Sequence, residues 1–170
     1  QLVGLDNCIQ ALPLERLNPK SNFFHIKMLK LNVNNETSKL LAVVLGTAKS
    51  NGPVPKLEDC YDPKSRENVL ANTYPTEIDM VDELNQLEEV LVKQNVKLYS
   101  PEVINDYNQI FSRDIGFVID DFFIVANILP DRSNEIFAIQ KVLDLIPKNK
   151  IIELPDDCHV EGGDVILNND

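Results

Sequence analysis

The stretch KIIELPDDCHVEGGDVILNND, Lys150 to Asp170, decides the fold, because its pattern occurs twice. It opens on an apolar strand signal closed by Pro155, passes through a polar loop to an acid, Glu161, and re-enters an apolar run at Val165-Ile166-Leu167. Asn168-Asn169 then marks a hairpin turn, since Asx residues tolerate the positive φ that tight turns demand. The earlier stretch VKLYSPEVINDYNQIFSRDIGFVIDDFFIVA (96–126) has the same order: a strand ending at Pro101, a polar loop, Asp114, the strand Phe117-Val118-Ile119 and the turn Asp120-Asp121. A helical pattern precedes each copy, at about 77–94 and about 134–146. In the first copy Phe122 to Ala126 completes the hairpin. In the second the sequence stops where that return strand is expected, which leads us to expect a cut chain and a missing strand. An internal repeat outweighs most other fold signals, and this one predicts an α/β protein built from successive similar units.

Length and composition set the outer limits. A chain of 170 residues suits one domain with a real core. Its 44% hydrophobic and 6% aromatic content is that of a soluble globular protein. The net charge of −11 argues against a general nucleic-acid or anionic-membrane binder, because both partners need a basic patch. The same acidity is compatible with a cationic substrate. No apolar run approaches the roughly 20 residues of a membrane span. Cys8, Cys60 and Cys158 are odd in number and widely spaced, giving neither a disulfide framework nor a zinc pattern. A cytoplasmic location is therefore expected, and no secretory signal is visible at the N-terminus.

Residues 1–27 differ from the rest. With two acids against three bases they carry +1, leaving −12 of the total −11 to the remainder. Met28 opens MLKLNVNNETSKLLAVVLG, which reads as a natural start: a short lead, polar residues, then a buried-type strand at Leu40 to Leu45. Residues 1–27 are accordingly expected to be an extension, either native or a remnant from upstream, with the folded domain at 28–170. Residues 49–75 are rich in Pro, Asn and Gly, long for a connection, and expected to be functional or partly helical around 64–71. Thr76-x-x-Asp79 approximates a capping box at the head of the next helix. Met80, Leu84, Leu87 and Leu91 recur at helical spacing, with Val81 beside them, and this stripe reads as core.

The repeat also places the chemistry. Asp114 and Glu161 each stand just after a loop and just before an apolar strand, so units arranged around one axis would bring both carboxylates together as an anionic pocket for a cation. The competing account is structural: each acid caps a turn or pairs with a nearby base such as Arg113.

NQIFSRDIGFVI (108–119) followed by EGGDVIL (161–167) resembles the guanidine-modifying enzymes, namely arginine deiminase, dimethylarginine dimethylaminohydrolase and glycine amidinotransferase. The lead NVNNETSKLLAVVLG resembles the start of bacterial amidinotransferase-like members, so the likeness covers about 28–170. It implies a five-module α/β propeller, the pentein fold, with about two modules present here and the active site on the central axis. It also implies covalent catalysis without a cofactor: a cysteine attacks the guanidinium carbon, and water or an amine resolves the intermediate. A guanidinium is planar, permanently charged and carries five donors, so carboxylates that grip it orient its carbon for attack. By this resemblance the catalytic acids are Asp114, which binds the guanidinium, and Glu161, which also helps orient a histidine. Phe111 lines the pocket, Asn108 lies near the amino-acid end of the substrate, Arg113 holds the acids in place, and Asp164 assists. Gly162 and Gly163 permit close backbone approach beside the site.

The family's histidine and cysteine are not found in these residues. Cys158-His159 imitates a nucleophilic pair, but neighbours in an extended segment point to opposite sides. Neither matches the family position, so His159 is read as structural, as are Cys60 and Cys8. The 170 residues alone are expected to be inactive. The cluster LPDDCHVE lacks a zinc spacing, and no phosphate-binding glycine loop occurs. The leading expectation is a guanidine-modifying enzyme acting on arginine or a similar small molecule. The alternatives are a non-catalytic propeller used for binding and an unrelated acidic interaction domain. Hydrolase or transferase chemistry, the rest of the substrate and the oligomeric state are open at this point.

Overall fold

A computed structural model describes residues 28–60 and 62–168. The expectations about residues 1–27, Cys8 and the end of the last turn (169–170) lie outside the described residues.

The apolar run Leu40 to Leu45 yields strand β1 (Ala42–Val44), buried throughout. Helix α1 (Pro63–Leu70) and helix α2 (Glu77–Lys93) then lead to strand β2 (Lys97–Tyr99), which pairs with β1 in parallel, Val43 opposite Leu98. Parallel strands need such a crossover. Each helix starts where its sequence supplies a cap. The Asp62 carboxylate accepts the Ser65 N–H ahead of Pro63. Thr76 and Asp79 close a full capping box: Asp79 N–H donates to the Thr76 hydroxyl, and Thr76 N–H donates to the Asp79 carboxylate. The α2 stripe behaves as read, with Met80 and Leu91 buried and Leu84 and Leu87 packed beside Val43, Leu45 and Val96.

Successive side chains of a strand face opposite ways, and β1 exploits both. Val43 joins the small core under α2, whereas Ala42 and Val44 enter a larger core on the other side. That larger core also receives Leu29, Leu31 and Val33. Their alternation makes residues 29–33 a half-buried extended lead rather than a mere preamble, anchored by reciprocal hydrogen bonds between Val33 and Asp120 at 2.8 and 2.6 Å.

Strands β3 (Gly116–Ile119) and β4 (Phe122–Val125) form the expected hairpin, in register Ile119 to Phe122, with Asp120 at φ 50° in its turn. Strand β5 (Ile151–Glu153) adds in parallel to β4. The connection differs from the single helix expected over about 134–146. It divides into α3 (Asn134–Ala138) and α4 (Gln140–Leu143), because the backbone departs from helix at Ile139 (φ −99°, ψ 10°). β-Branched residues at 136, 139 and 142 disfavour a regular helix, and the Ile139 N–H bonds three residues back to the Ile136 carbonyl. Ile139, Val142, Leu143 and Ile146 still share one buried face.

Val165-Ile166-Leu167 is the second correction. Val165 is extended, but no strand forms there. The Leu167 N–H is taken by a side chain, Glu36 Oε1 at 2.9 Å, in place of a ladder partner, and Ile166 is 80% exposed. The expected α/β class holds: among the described residues there are a two-stranded and a three-stranded sheet, with helices between strands.

Candidate functional site

Two similar turns, one from each copy of the repeat, meet at the site. In the first, the Asp114 N–H bonds back to the Phe111 carbonyl at 3.1 Å, directly before β3. In the second, the Asp164 N–H bonds back to the Glu161 carbonyl at 2.9 Å, forming the single helical turn Gly162–Asp164. The turns touch. A β-carbon on Gly162 would lie 2.0 Å from the Arg113 carbonyl oxygen, and one on Gly163 would lie 2.9 Å from Asp114 Oδ1. Gly162 is thus required by the contact, whereas at Gly163 the Asp114 carboxylate would have to yield.

Arg113 fastens the turns together. Its Nε donates to the Gly162 carbonyl at 2.9 Å, and its Nη2 donates to the Val165 carbonyl and lies 3.8 Å from Glu36. It therefore grips backbone and pairs with Glu36. Ser112 ties the first turn to the main body through a 2.8 Å hydrogen bond to the Val44 carbonyl at the end of β1.

The base that does pair with the acids is Arg132, which the sequence reading passed over. Its Nη1 lies 2.9 Å from Asp114 Oδ2 and 3.9 Å from Glu161 Oε1. Its Nε and Nη2 donate to the two oxygens of Glu135 at 2.7 and 3.2 Å, a bidentate pair, and Nη2 also reaches the Phe111 carbonyl at 3.4 Å. Burial works against the Arg132 charge, but the hydrogen bonds to Glu135 and Asp114 outweigh it and raise its pKa. The Glu135 side chain is 2% exposed. Burial pushes its carboxyl above the usual range despite Arg132, and the charges of Asp114 and Glu161 push the same way. One guanidinium thus serves three carboxylates. Glu161, at 36% side-chain exposure, is the most open of the three.

Asp114 and Glu161 both lie within 3.9 Å of Arg132 Nη1. Phe111 is 47% exposed at the first turn. Asn108 is exposed and uses its Oδ1 locally, accepting the Ile110 N–H at 3.1 Å. Asp164 is exposed. Cys158 and His159 are both exposed, on the segment leading to the second turn. Cys60 is buried, with its thiol donating to the Lys56 carbonyl. Among the described residues no group of three or more His, Cys, Asp or Glu side chains is arranged to hold a metal ion.

Two solved enzymes have a similar fold. One is SxtG, an amidinotransferase from Microseira wollei in the saxitoxin biosynthetic pathway, with TM-score 0.52 and 20% identity over 73% of this chain and 41% of that one. The chain has an amidinotransferase-like fold. The other is the inosamine-phosphate amidinotransferase StrB1 of Streptomyces griseus, with TM-score 0.50 and 19% identity over 73% of this chain and 42% of that one. The chain therefore spans about two-fifths of the length of these amidinotransferase structures. No protein-family model and no curated protein sequence matches it. No helix among the described residues is long and apolar enough to cross a membrane.

Proposed function

We propose that the protein is part of a guanidine-modifying enzyme of amidinotransferase or arginine deiminase type, acting on arginine or an arginine-like small molecule. Asp114 and Glu161 grip the substrate guanidinium, and the described residues form about two modules of a five-module α/β propeller. One observation carries the reading: two acids from separate repeat copies converge on one spot, with their charge only partly offset, within an amidinotransferase-like fold. Phe111 lines the pocket, Arg113 holds the two turns in register, and Asn108 and Asp164 lie toward the remainder of the substrate.

In the chemistry proposed, a cysteine thiolate from outside these 170 residues adds to the guanidinium carbon. The C–N bond to the departing amine breaks, and the amine leaves with a proton. Water or an acceptor amine then displaces the thiolate. Carboxylates on the guanidinium favour the first step by holding the carbon in line and by balancing its charge. The free Cys60 and Cys158 suit a reducing compartment, which supports placing the enzyme in the cytoplasm.

In the full-length protein, Asp114→Ala and Glu161→Ala are each expected to abolish turnover of L-arginine while circular dichroism stays native. Near-normal activity in both variants would sink the site assignment. The Arg132 ion pair favours a second reading, in which the acids are satisfied internally and the propeller only binds partners. L-Arginine binding that is lost on Asp114→Ala separates the first reading from the second.

A further inference from the structure

Glu135 is the least expected residue in the molecule: a carboxylate 2% exposed in a five-residue helix. Burying a charge is costly unless partners recover it, and the cation that pairs with Glu135 is Arg132. A structural ion pair needs one acid and one base. Here the same guanidinium is also engaged by Asp114, so its plane is fixed from three sides: Glu135 on Nε and Nη2, the Phe111 carbonyl on Nη2, and Asp114 on Nη1. The contact to Asp114 uses Oδ2. The other oxygen, Oδ1, is the one facing Gly163 and so the second turn.

We propose that Glu135 and Arg132 are positioning residues, with Glu135 locking the plane of Arg132 and Arg132 locking the Asp114 carboxylate so that Oδ1 and Glu161 face one incoming guanidinium. The inference rests on the reading of Asp114 as a guanidinium-binding acid. It adds that the orientation of that acid is set by a pair, buried Glu135 and half-buried Arg132, that never touches substrate. A guanidinium needs its partners in defined directions, so a freely rotating Asp114 would recognise charge without shape. The planar fork of Arg132 is essential to this role, because a lysine ammonium is a point charge that cannot hold Glu135 bidentately while also reaching Asp114.

The test uses the full-length protein, L-arginine as probe, and calorimetric titration alongside thermal melts. Glu135→Gln keeps the size of the side chain and is expected to stay folded while weakening L-arginine binding by about tenfold or more. Arg132→Lys, which keeps the charge and removes the fork, is expected to weaken binding to a similar degree. In an Asp114→Asn background, Glu135→Gln is expected to add almost nothing, since its effect passes through Asp114. Native affinity in Glu135→Gln, full rescue by lysine at 132, or an undiminished Glu135 effect in the Asp114→Asn background would each overturn the proposal while leaving the arginine-binding reading intact. A native protein that fails to bind L-arginine overturns both.

Discussion

A single β-carbon separates tolerance from collapse at the contact between the two turns. At Gly162 it would meet the backbone oxygen of Arg113 at 2.0 Å, and backbone cannot swing aside. Gly162→Ala is therefore expected to cost about 3 kcal/mol or more of unfolding free energy, as overpacking against a fixed neighbour does. At Gly163 the obstacle is a side-chain oxygen, Asp114 Oδ1 at 2.9 Å, which can rotate. Gly163→Ala is expected to change urea unfolding little but to weaken L-arginine binding, because the carboxylate that yields is the one proposed to hold substrate. Comparable stability losses at both positions would show that the two contacts do not differ in kind. The two acids at this junction were legible in the sequence because the repeat placed them at equivalent points. Arg132 and Glu135 were not. A base and an acid three residues apart look like any solvated helix pair, and only the fold reveals that Glu135 is buried and that Arg132 packs against Asp114. Arg113, the base that adjacency favoured, donates to the Gly162 and Val165 carbonyls.

Caps and breaks govern the elements. The α2 capping box satisfies backbone groups that a helix start otherwise leaves to water, so Thr76→Ala is expected to lower stability by about 1 kcal/mol, measured by urea unfolding at neutral pH. Its partner supplies a pH signature. Hydrogen bonds from the Thr76 hydroxyl and N–H hold the Asp79 carboxyl below its ordinary 3.8. A depressed native pKa stabilises the fold above pH 3.8 and loses that contribution as pH falls through the lower native value. The cap should accordingly loosen only in strong acid, and Thr76→Ala should flatten that part of the acid-unfolding curve. Caps are local and were readable from four residues, Thr76 to Asp79. The break at Ile139 was not, because its apolar spacing fits one continuous helix as well as two short ones. Val165–Leu167 has strand composition, yet a strand is a property of two chains in register. Here the Leu167 N–H bonds to the Glu36 side chain.

At the scale of the whole molecule, β1 divides the interior into a small core under α2 and a larger one shared by the lead segment, the hairpin and the α3–α4 face. Ile146, 1% exposed in the larger core, is expected to cost about 2–5 kcal/mol on truncation to Ala. Ile166, 80% exposed, is expected to cost less than about 0.5 kcal/mol, and urea denaturation of the two variants checks the contrast. The α/β class and most strands were visible from periodicity, whereas the lead segment at Leu29, Leu31 and Val33 was underrated because its alternation is too short to stand out from its polar neighbours. The stitching by Arg113 and Glu36 bears on how the protein is born. Arg113 waits for carbonyls 49 and 52 positions later, and Glu36 waits for an N–H 131 positions later. At about 5–20 residues per second of synthesis, the Asp114 turn leaves the ribosome roughly 2–10 seconds before its clasp. The small core can close on a nascent chain during that interval. The clasp of Arg113 on the Gly162 and Val165 carbonyls cannot, so the junction of the two turns forms only after the small core can already be in place.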